Sequence, residues 1–283
     1  MIRIALQKSG RLNQESLSLL KQCGIKIDNG KDQLKAAARN FPCEVFFLRN
    51  GDIPQYLRDG VVDLAILGSN TLVEKGNDLS IIEHLGFSKC RVSIALPKEA
   101  EFNGLNDLNG KRIATSYPNT IQQFLTANGI EADLHIINGS VEIAPNIGLA
   151  DAVCDIVSSG STLFKNNLRE VVKIIDSEAV LVQSPKVTPE QVNLINKIQF
   201  RVQSVLRAKK SRYILLNAPN EKIEAVSAIL PVLKSPTVLP LAQPGWSSLH
   251  SVINEGDFWE VIDQLKAAGA EDILVCPIEK MVI

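Results

Sequence analysis

The residues with the clearest chemical potential run Asp151-Ala-Val-Cys-Asp155-Ile-Val-Ser-Ser-Gly-Ser-Thr162-Leu163. An apolar, strand-like run over 153–157 empties into five consecutive small residues, Ser158, Ser159, Gly160, Ser161 and Thr162, and a helix-compatible segment follows. Four hydroxyls around one glycine, where a strand hands over to a helix, suit a phosphate group. Gly160 takes a positive φ at little cost, so successive backbone N–H groups can converge on one anion. The helix start adds unpaired N–H donors and the positive end of its dipole. Asp155, just upstream, is placed to accept hydrogen bonds from sugar hydroxyls. The loop reads either as a phosphate cradle beside a ribose or as plain Ser/Gly turn chemistry. It is not a Walker A loop, because no Gly-Lys-Ser/Thr follows, and no Gly-x-Gly-x-x-Gly turn follows a strand.

Other charged residues gather near strand ends. Lys8 and Arg11 flank Ser9-Gly10 between the first expected strand and the first expected helix. In a doubly wound sheet that turn opens on the ligand-binding edge, so the two cations either meet an anion or form a solvated basic loop. Arg49 and Asp63 point either into a cleft or to water. Tyr117, before Pro118, either stacks on a planar base or packs. No nucleophile constellation stands out: there is no Gly-x-Ser-x-Gly elbow, no Cys/His pair in context and no recognisable glycosidase carboxylate pair. That disfavours covalent hydrolysis and suits a reaction in which the protein positions two charged substrates.

The elements that must position these residues alternate along the chain. Strands are expected over 2–6, 44–49, 61–67, 91–96, 112–115 and 133–137, with helices over 13–23, 53–59, 120–128 and 141–150. Such alternation implies βαβ units, parallel sheets covered on both faces, and a duplicated α/β body with a cleft between two lobes. No internal sequence repeat is evident. Strands over 171–175 and 179–182 precede a long helix over 189–209. After it a β-α-β-β-α-β order over 213–277 predicts a ferredoxin-like module, suited to small-ligand regulation or to oligomerisation. The balance of 30 basic against 31 acidic residues leaves a formal charge of −1, so no basic face for nucleic acid is expected. No apolar run reaches membrane-spanning length, and the N-terminus enters a strand at once without signal-peptide character. Five scattered cysteines and three separated histidines give no disulfide or metal spacing, which fits a reduced, cytoplasmic protein.

Glu142, Gly148, Ala150, Val153, Asp155, Ser159, Gly160, Thr162 and Leu163 together fit one known signature, and the chain resembles the long-form ATP phosphoribosyltransferase family. Gln7-Lys-Ser-Gly-Arg-Leu12, Asp59-Gly-Val-Val-Asp-Leu64, Gly110-Lys-Arg-Ile-Ala-Thr-Ser-Tyr-Pro118 and Pro277-Ile-Glu-Lys-Met281 look like family blocks too, so the likeness covers essentially the whole chain. The resemblance implies condensation of ATP, through adenine N1, with 5-phosphoribosyl 1-pyrophosphate as the first step of histidine biosynthesis. It implies a periplasmic-binding-protein-like (type II) catalytic body with a discontinuous first lobe (1–93 and 180–210) and a second lobe over 94–179. Residues 211–283 would be a ferredoxin-like regulatory domain through which histidine inhibits. It further implies substrate-borne Mg2+, homo-oligomers (dimers assembling into hexamers) and no separate regulatory subunit.

Carried onto residues, the resemblance places the 5-phosphate at Ser158, Ser159, Gly160, Ser161 and Thr162, with Asp155 and Asp151 toward the ribose. Lys8, Arg11 and Arg49 would meet polyphosphate, with Lys8, Arg11 and Asp155 as the catalytic set. Asp63 and Tyr117 would lie near the nucleotide. The regulatory site would take Asn217, Leu233, Thr237 and Val252, Asn217 standing where some relatives carry Asp. Two readings from other classes compete: a solute-binding or ligand-sensing protein of the same two-lobed fold, and a regulatory ferredoxin-like protein with the α/β body as scaffold.

Overall fold

Ile2, Ile4, Ala5 and Leu6 are all fully buried because the first strand, β1 (Ile2–Gln7), runs through the middle of a sheet. The computed structural model describes residues 1–28, 33–230 and 235–282. From β1 the chain passes through α1 (Arg11–Gln22), β2 (Lys35–Ala37), β3 (Cys43–Leu48), α2 (Ile53–Arg58), β4 (Leu64–Gly68), α3 (Ser69–Lys75) and β5 (Ser80–His84). It then crosses to a second sheet through β6 (Cys90–Pro97), β7 (Arg112–Thr115), α4 (Pro118–Ala127), β8 (Asp133–Ile136), β9 (Ala152–Val157), α5 (Ser161–Lys165) and β10 (Leu168–Ser177). It returns to the first sheet with β11 (Ala179–Gln183) and leaves along the long helix α6 (Pro189–Lys209). The first sheet has the order β2-β3-β1-β4-β11-β5 and the second β10-β6-β9-β7-β8.

The two sheets are built alike. β1 lies parallel to β4 and β3, and β7 lies parallel to β9 and β8. In each sheet an antiparallel strand then follows, β11 beside β4 and β6 beside β9. The repetition reaches side chains. Arg3-Ile-Ala on β1 and Arg112-Ile-Ala on β7 pair in the same register with the strand that follows an aspartate. The Arg3 N–H and guanidinium donate to Asp63 at 2.7 and 2.8 Å, and Arg3 also reaches the Gly60 carbonyl at 2.9 Å. Arg112 repeats this on Asp151 at 2.9 and 2.8 Å and on the Gly148 carbonyl at 3.0 Å. An internal repeat is therefore present where none was evident in the sequence, carried by an Arg-Ile-Ala strand and a Gly-x-x-Asp turn at unequal separations.

Two further departures concern single elements. The helix expected over 141–150 is one 3-10 turn, Val141–Ile143, followed by turns. Pro145 lacks an N–H, and Gly148 sits at φ 72 with its carbonyl taken by Arg112. α3, β5 and the short β2 were not anticipated.

Compact packing divides the chain into Met1–Lys197 and Ile198–Ile283, the boundary falling inside α6. The second unit carries β12 (Ser211–Pro219), α7 (Ile223–Ile229), β13 (Thr237–Pro240), β14 (Trp246–Asn254), α8 (Phe258–Ala267) and β15 (Glu271–Pro277). Its fully antiparallel sheet has the order β13-β14-β12-β15, the ferredoxin-like arrangement. Ile214, Leu216, Ala218 and Leu249 pack on Val226 and Leu265 of the two helices, leaving the opposite sheet face open. Among the described residues no helix is long and apolar enough to cross a membrane.

Candidate active site

β9 ends at Val157 and α5 begins at Ser161, so residues 158–160 make the turn. Gly160 caps the helix at φ 77, ψ 0. A Cβ built there meets nothing within 4 Å, so the backbone conformation, not crowding, demands glycine. The Ser159 hydroxyl donates to the Ser161 hydroxyl at 3.0 Å and accepts the Ser161 N–H at 3.4 Å. With Glu142 the loop lines a pocket of about 200 Å³. Arg91, at the start of β6, is ion-paired with Glu170 and donates to the Ser158 carbonyl at 3.3 Å.

Beside this pocket lies a cleft of about 260 Å³ between the two sheets of the first unit. Gln7, Arg11, Asn50 and Asn70 line it from the first lobe and Ile156 and Ser158 from the second, with Ser88 and Lys89 of the crossing segment and Cys90 at the start of β6 between them. Lys8, Arg11 and Arg49 follow the carboxyl ends of the adjacent strands β1 and β3, where the Lys8 N–H donates to the Leu48 carbonyl at 2.7 Å. All three are exposed, and Arg11 is paired with Glu15 at 3.3 Å. Of the three, Arg11 lines the cleft, so the site sets a cation of one lobe opposite hydroxyls and N–H groups of the other.

Asp155, near the end of β9, is half-buried and accepts from the Ile156 N–H at 2.8 Å and the Ser116 hydroxyl at 3.1 Å. Burial lifts its carboxyl above the ordinary range. The two hydrogen bonds oppose that shift and the charge of Glu142 adds to it.

Three sequence-predicted residues stand elsewhere. Asp63 precedes β4 and Asp151 precedes β9, so both lie at the amino edges of parallel strands, while the cleft opens at the carboxyl edges. The 5 residues of β4 and the 6 of β9 separate them from that edge, roughly 16–20 Å at the rise of a strand. Asp63 is almost fully buried, clamped by Arg3, and accepts the Gln191 amide at 2.9 Å. Asp151 is held by Arg112, whose hydrogen bonds bring its carboxyl down to about 2. Neither lines the cleft or the loop pocket. The Tyr117 ring packs against the core of the second sheet and its hydroxyl accepts the Asn70 amide at 3.2 Å, so it is a packing residue and not an open stacking platform.

The sequence reading passed over Asn70, Glu74, Arg91 and Ser116. Their partners lie 39 or more residues away in the chain, a distance local pattern does not bridge. In the second unit, Asn217 pairs in register with Ser248 and Thr237 with His250, and Val252 lies opposite Tyr213. All three sit on the open sheet face, with Tyr213 and His250 hydrogen-bonded among them at 2.5 Å. The Asn217 amide donates to Asp272 at 3.1 Å. Leu233 lies outside the described residues. Among the described residues no group of three or more His, Cys, Asp or Glu side chains is arranged to hold a metal ion.

Known proteins resemble the chain over its whole length. Residues 49–204 match the family model described as ATP phosphoribosyltransferase, and residues 208–280 match the model for the HisG C-terminal domain. The chain is 54% identical to the ATP phosphoribosyltransferase of Cytophaga hutchinsonii, over 100% of this chain and 99% of that one. It is 52% identical to that of Bacteroides fragilis over the full length of both. Among solved structures, a chain from the Thermotoga maritima ATP phosphoribosyl transferase (HisG:HisZ) complex aligns with a TM-score of 0.61 and 29% identity, covering 72% of this chain and 99% of that one. A substrate-binding protein of an amino-acid ABC transporter aligns at 0.50 and 11% identity, over 73% of this chain and 93% of that one, a likeness of fold alone. Because a family model spans more than half the chain and relatives of one name match half of its residues from end to end, the chain belongs to the ATP phosphoribosyltransferase family and is an enzyme, a pentosyltransferase.

Proposed function

We propose that the enzyme joins ATP to 5-phosphoribosyl 1-pyrophosphate in the first step of histidine biosynthesis. The lone pair of adenine N1 attacks the ribose C1, the C1–O bond to pyrophosphate breaks, and N1-(5-phosphoribosyl)-ATP and pyrophosphate leave. The observation that carries this reading is the left-handed Gly160 between β9 and α5, which turns a run of hydroxyls and N–H groups into a pocket of phosphate size beside the Arg11-lined cleft. The 5-phosphate sits in that loop and the ribose hydroxyls meet Asp155. Lys8, Arg11 and Arg49 meet the polyphosphate of the partner substrate from the first lobe. N1 already carries a lone pair, so no strong base is required, and catalysis rests on placement and on neutralising the departing pyrophosphate. Mg2+ arrives on pyrophosphate or ATP as part of the substrate; Glu142 lines the loop's pocket and its charge acts on Asp155, a small carboxylate set that suits an ion keeping few protein ligands.

The ferredoxin-like unit is read as a built-in histidine sensor. Asn217, Thr237 and Val252 share its open face, and Asp272 brings a carboxylate to Asn217, supplying a partner for an ammonium that the amide alone lacks. The chain of the Thermotoga complex is matched by only 72% of this one, which supports regulation within this chain and not by a separate subunit. Leu239 and Leu274, exposed on that face, support assembly with further copies of the chain.

The test is direct. Incubated with ATP, 5-phosphoribosyl 1-pyrophosphate and Mg2+, the protein gives N1-phosphoribosyl-ATP, followed by its absorbance. No product, even with pyrophosphatase pulling the equilibrium, sinks the reading.

A further inference from the structure

The first turn of α4 needs acceptors for its free N–H groups, and its own cap residue supplies none. Tyr117 has no side-chain cap bond, and Pro118 at the first helical position has no N–H to satisfy. The next two N–H groups, of Asn119 and Thr120, donate at 3.1 and 2.9 Å to the carboxylate of Glu74, which belongs to α3 on the other lobe. The Thr120 hydroxyl adds a third bond at 2.8 Å, and the Asn119 amide returns one to the Glu74 carbonyl at 2.9 Å. Glu74 is only 5% exposed, so these bonds are shielded from water. Its negative charge also meets the positive end of the α4 dipole.

One helical turn earlier, Asn70 presents the same face of α3. Its amide donates to the Tyr117 hydroxyl at 3.2 Å, and its carbonyl oxygen accepts from Ser177 at 2.8 Å. The gripped turn leads directly to the candidate ribose carboxylate. The Thr115 hydroxyl takes the Tyr117 N–H and donates to the Cys154 carbonyl, both at 2.8 Å, and Ser116 donates to Asp155 at 3.1 Å.

We propose that Glu74 and Asn70 form an inter-lobe clasp whose function is to position the turn that orients Asp155, which makes Glu74 a positioning residue for phosphoribosyl transfer. The proposal rests on the ribose-facing reading of Asp155. The phosphate loop is held separately, by Ser159 on Ser161 and by Arg91 on Ser158, so losing the clasp leaves phosphate capture in place.

The experiment uses the full chain with Glu74→Ala, the near-isosteric Glu74→Gln, Asp155→Asn and the double variant Glu74→Ala/Asp155→Asn. Turnover is normalised to folded protein by calorimetric binding stoichiometry. Glu74→Ala is expected to lower kcat about 10–100-fold, with KM for 5-phosphoribosyl 1-pyrophosphate within about twofold of wild type. Glu74→Gln, which keeps one acceptor, recovers part of that loss and serves alone where the alanine variant does not fold. Hydrogen exchange at the Asn119 and Thr120 amides accelerates in both. Acting through Asp155, Glu74 adds little loss once Asp155 is gone, so the double variant turns over about as fast as Asp155→Asn. Multiplying losses in the double variant, or wild-type kcat in Glu74→Ala, overturns the clasp. Wild-type kcat in Asp155→Asn overturns the ribose reading instead, a result distinct from either.

Discussion

Asp155, Asp151 and the buried, Arg3-clamped Asp63 occupy three environments, and their chemistry separates accordingly. Asp155 is lifted by burial above the ordinary aspartate value of 3.8. A raised native pKa means that the folded state binds the proton more readily than the unfolded chain. Its ionised form therefore costs stability above that pKa, and the cost disappears as pH falls through it. Activity responds in the opposite sense, because the ionised form accepts from ribose hydroxyls with both oxygens and makes the stronger, charge-assisted bonds. The acid limb of kcat/KM for 5-phosphoribosyl 1-pyrophosphate is accordingly expected above pH 3.8, and Asp155→Asn loses that limb. A limb unchanged in the variant removes Asp155 from the role. Asp151, held near 2 by Arg112, works the other way: its stabilisation is present above about 3.8 and is lost as pH falls toward 2. Its side chain is 39% exposed, so Asp151→Asn should cost no more than about 1 kcal/mol in urea titration and leave KM unchanged. Residue identity in the sequence indicated a carboxylate chemistry for all three. What it did not weigh was strand polarity: an aspartate just before a parallel strand lies at the edge away from the ligand.

At the scale of elements, the β9–loop–α5 unit was legible because everything that makes it is local. An apolar run, a glycine able to take φ 77 and a following helix sit within one short stretch, residues 152–165. Gly160→Val forces a β-branched residue into the left-handed region, at about 1–3 kcal/mol of strain, in open space where no packing is disturbed. Affinity for 5-phosphoribosyl 1-pyrophosphate should fall about 10–100-fold, while the strain lowers the melting temperature by only about 2–4 °C per kcal/mol and leaves the fold intact. Wild-type binding in calorimetry removes the phosphate from this loop. The repeat between the lobes was illegible for the opposite reason. Arg3 reaches Gly60 across 57 residues and Arg112 reaches Gly148 across 36, so insertions of different length hide a shared core of a few residues. α3 escaped notice because Ser69–Lys75 carries no strong apolar stripe; its buried face includes Asn70 and Glu74, polar residues satisfied only across the cleft.

For the whole molecule, the order of elements gave both the two-lobed body and the ferredoxin-like unit, because helix and strand periods differ clearly in each. The regulatory reading is tested without dissecting the chain. Asp272→Asn should raise the histidine concentration needed for half-inhibition about tenfold, the loss of one charge-assisted hydrogen bond, with uninhibited kcat unchanged. Equal inhibition of variant and wild type detaches histidine from that face. A last consequence follows from where β11 lies. It sits between β4 and β5, so among the described residues β5 has no sheet neighbour except a strand encoded about a hundred residues later. On a ribosome, the amino-terminal sheet is thus left with its edge strand unattached until the entire second sheet has been synthesised. Completion of the first half of the enzyme is timed by the second, and a chain truncated after Gly68 but before Ala179 leaves the β4 edge open to pairing with another molecule.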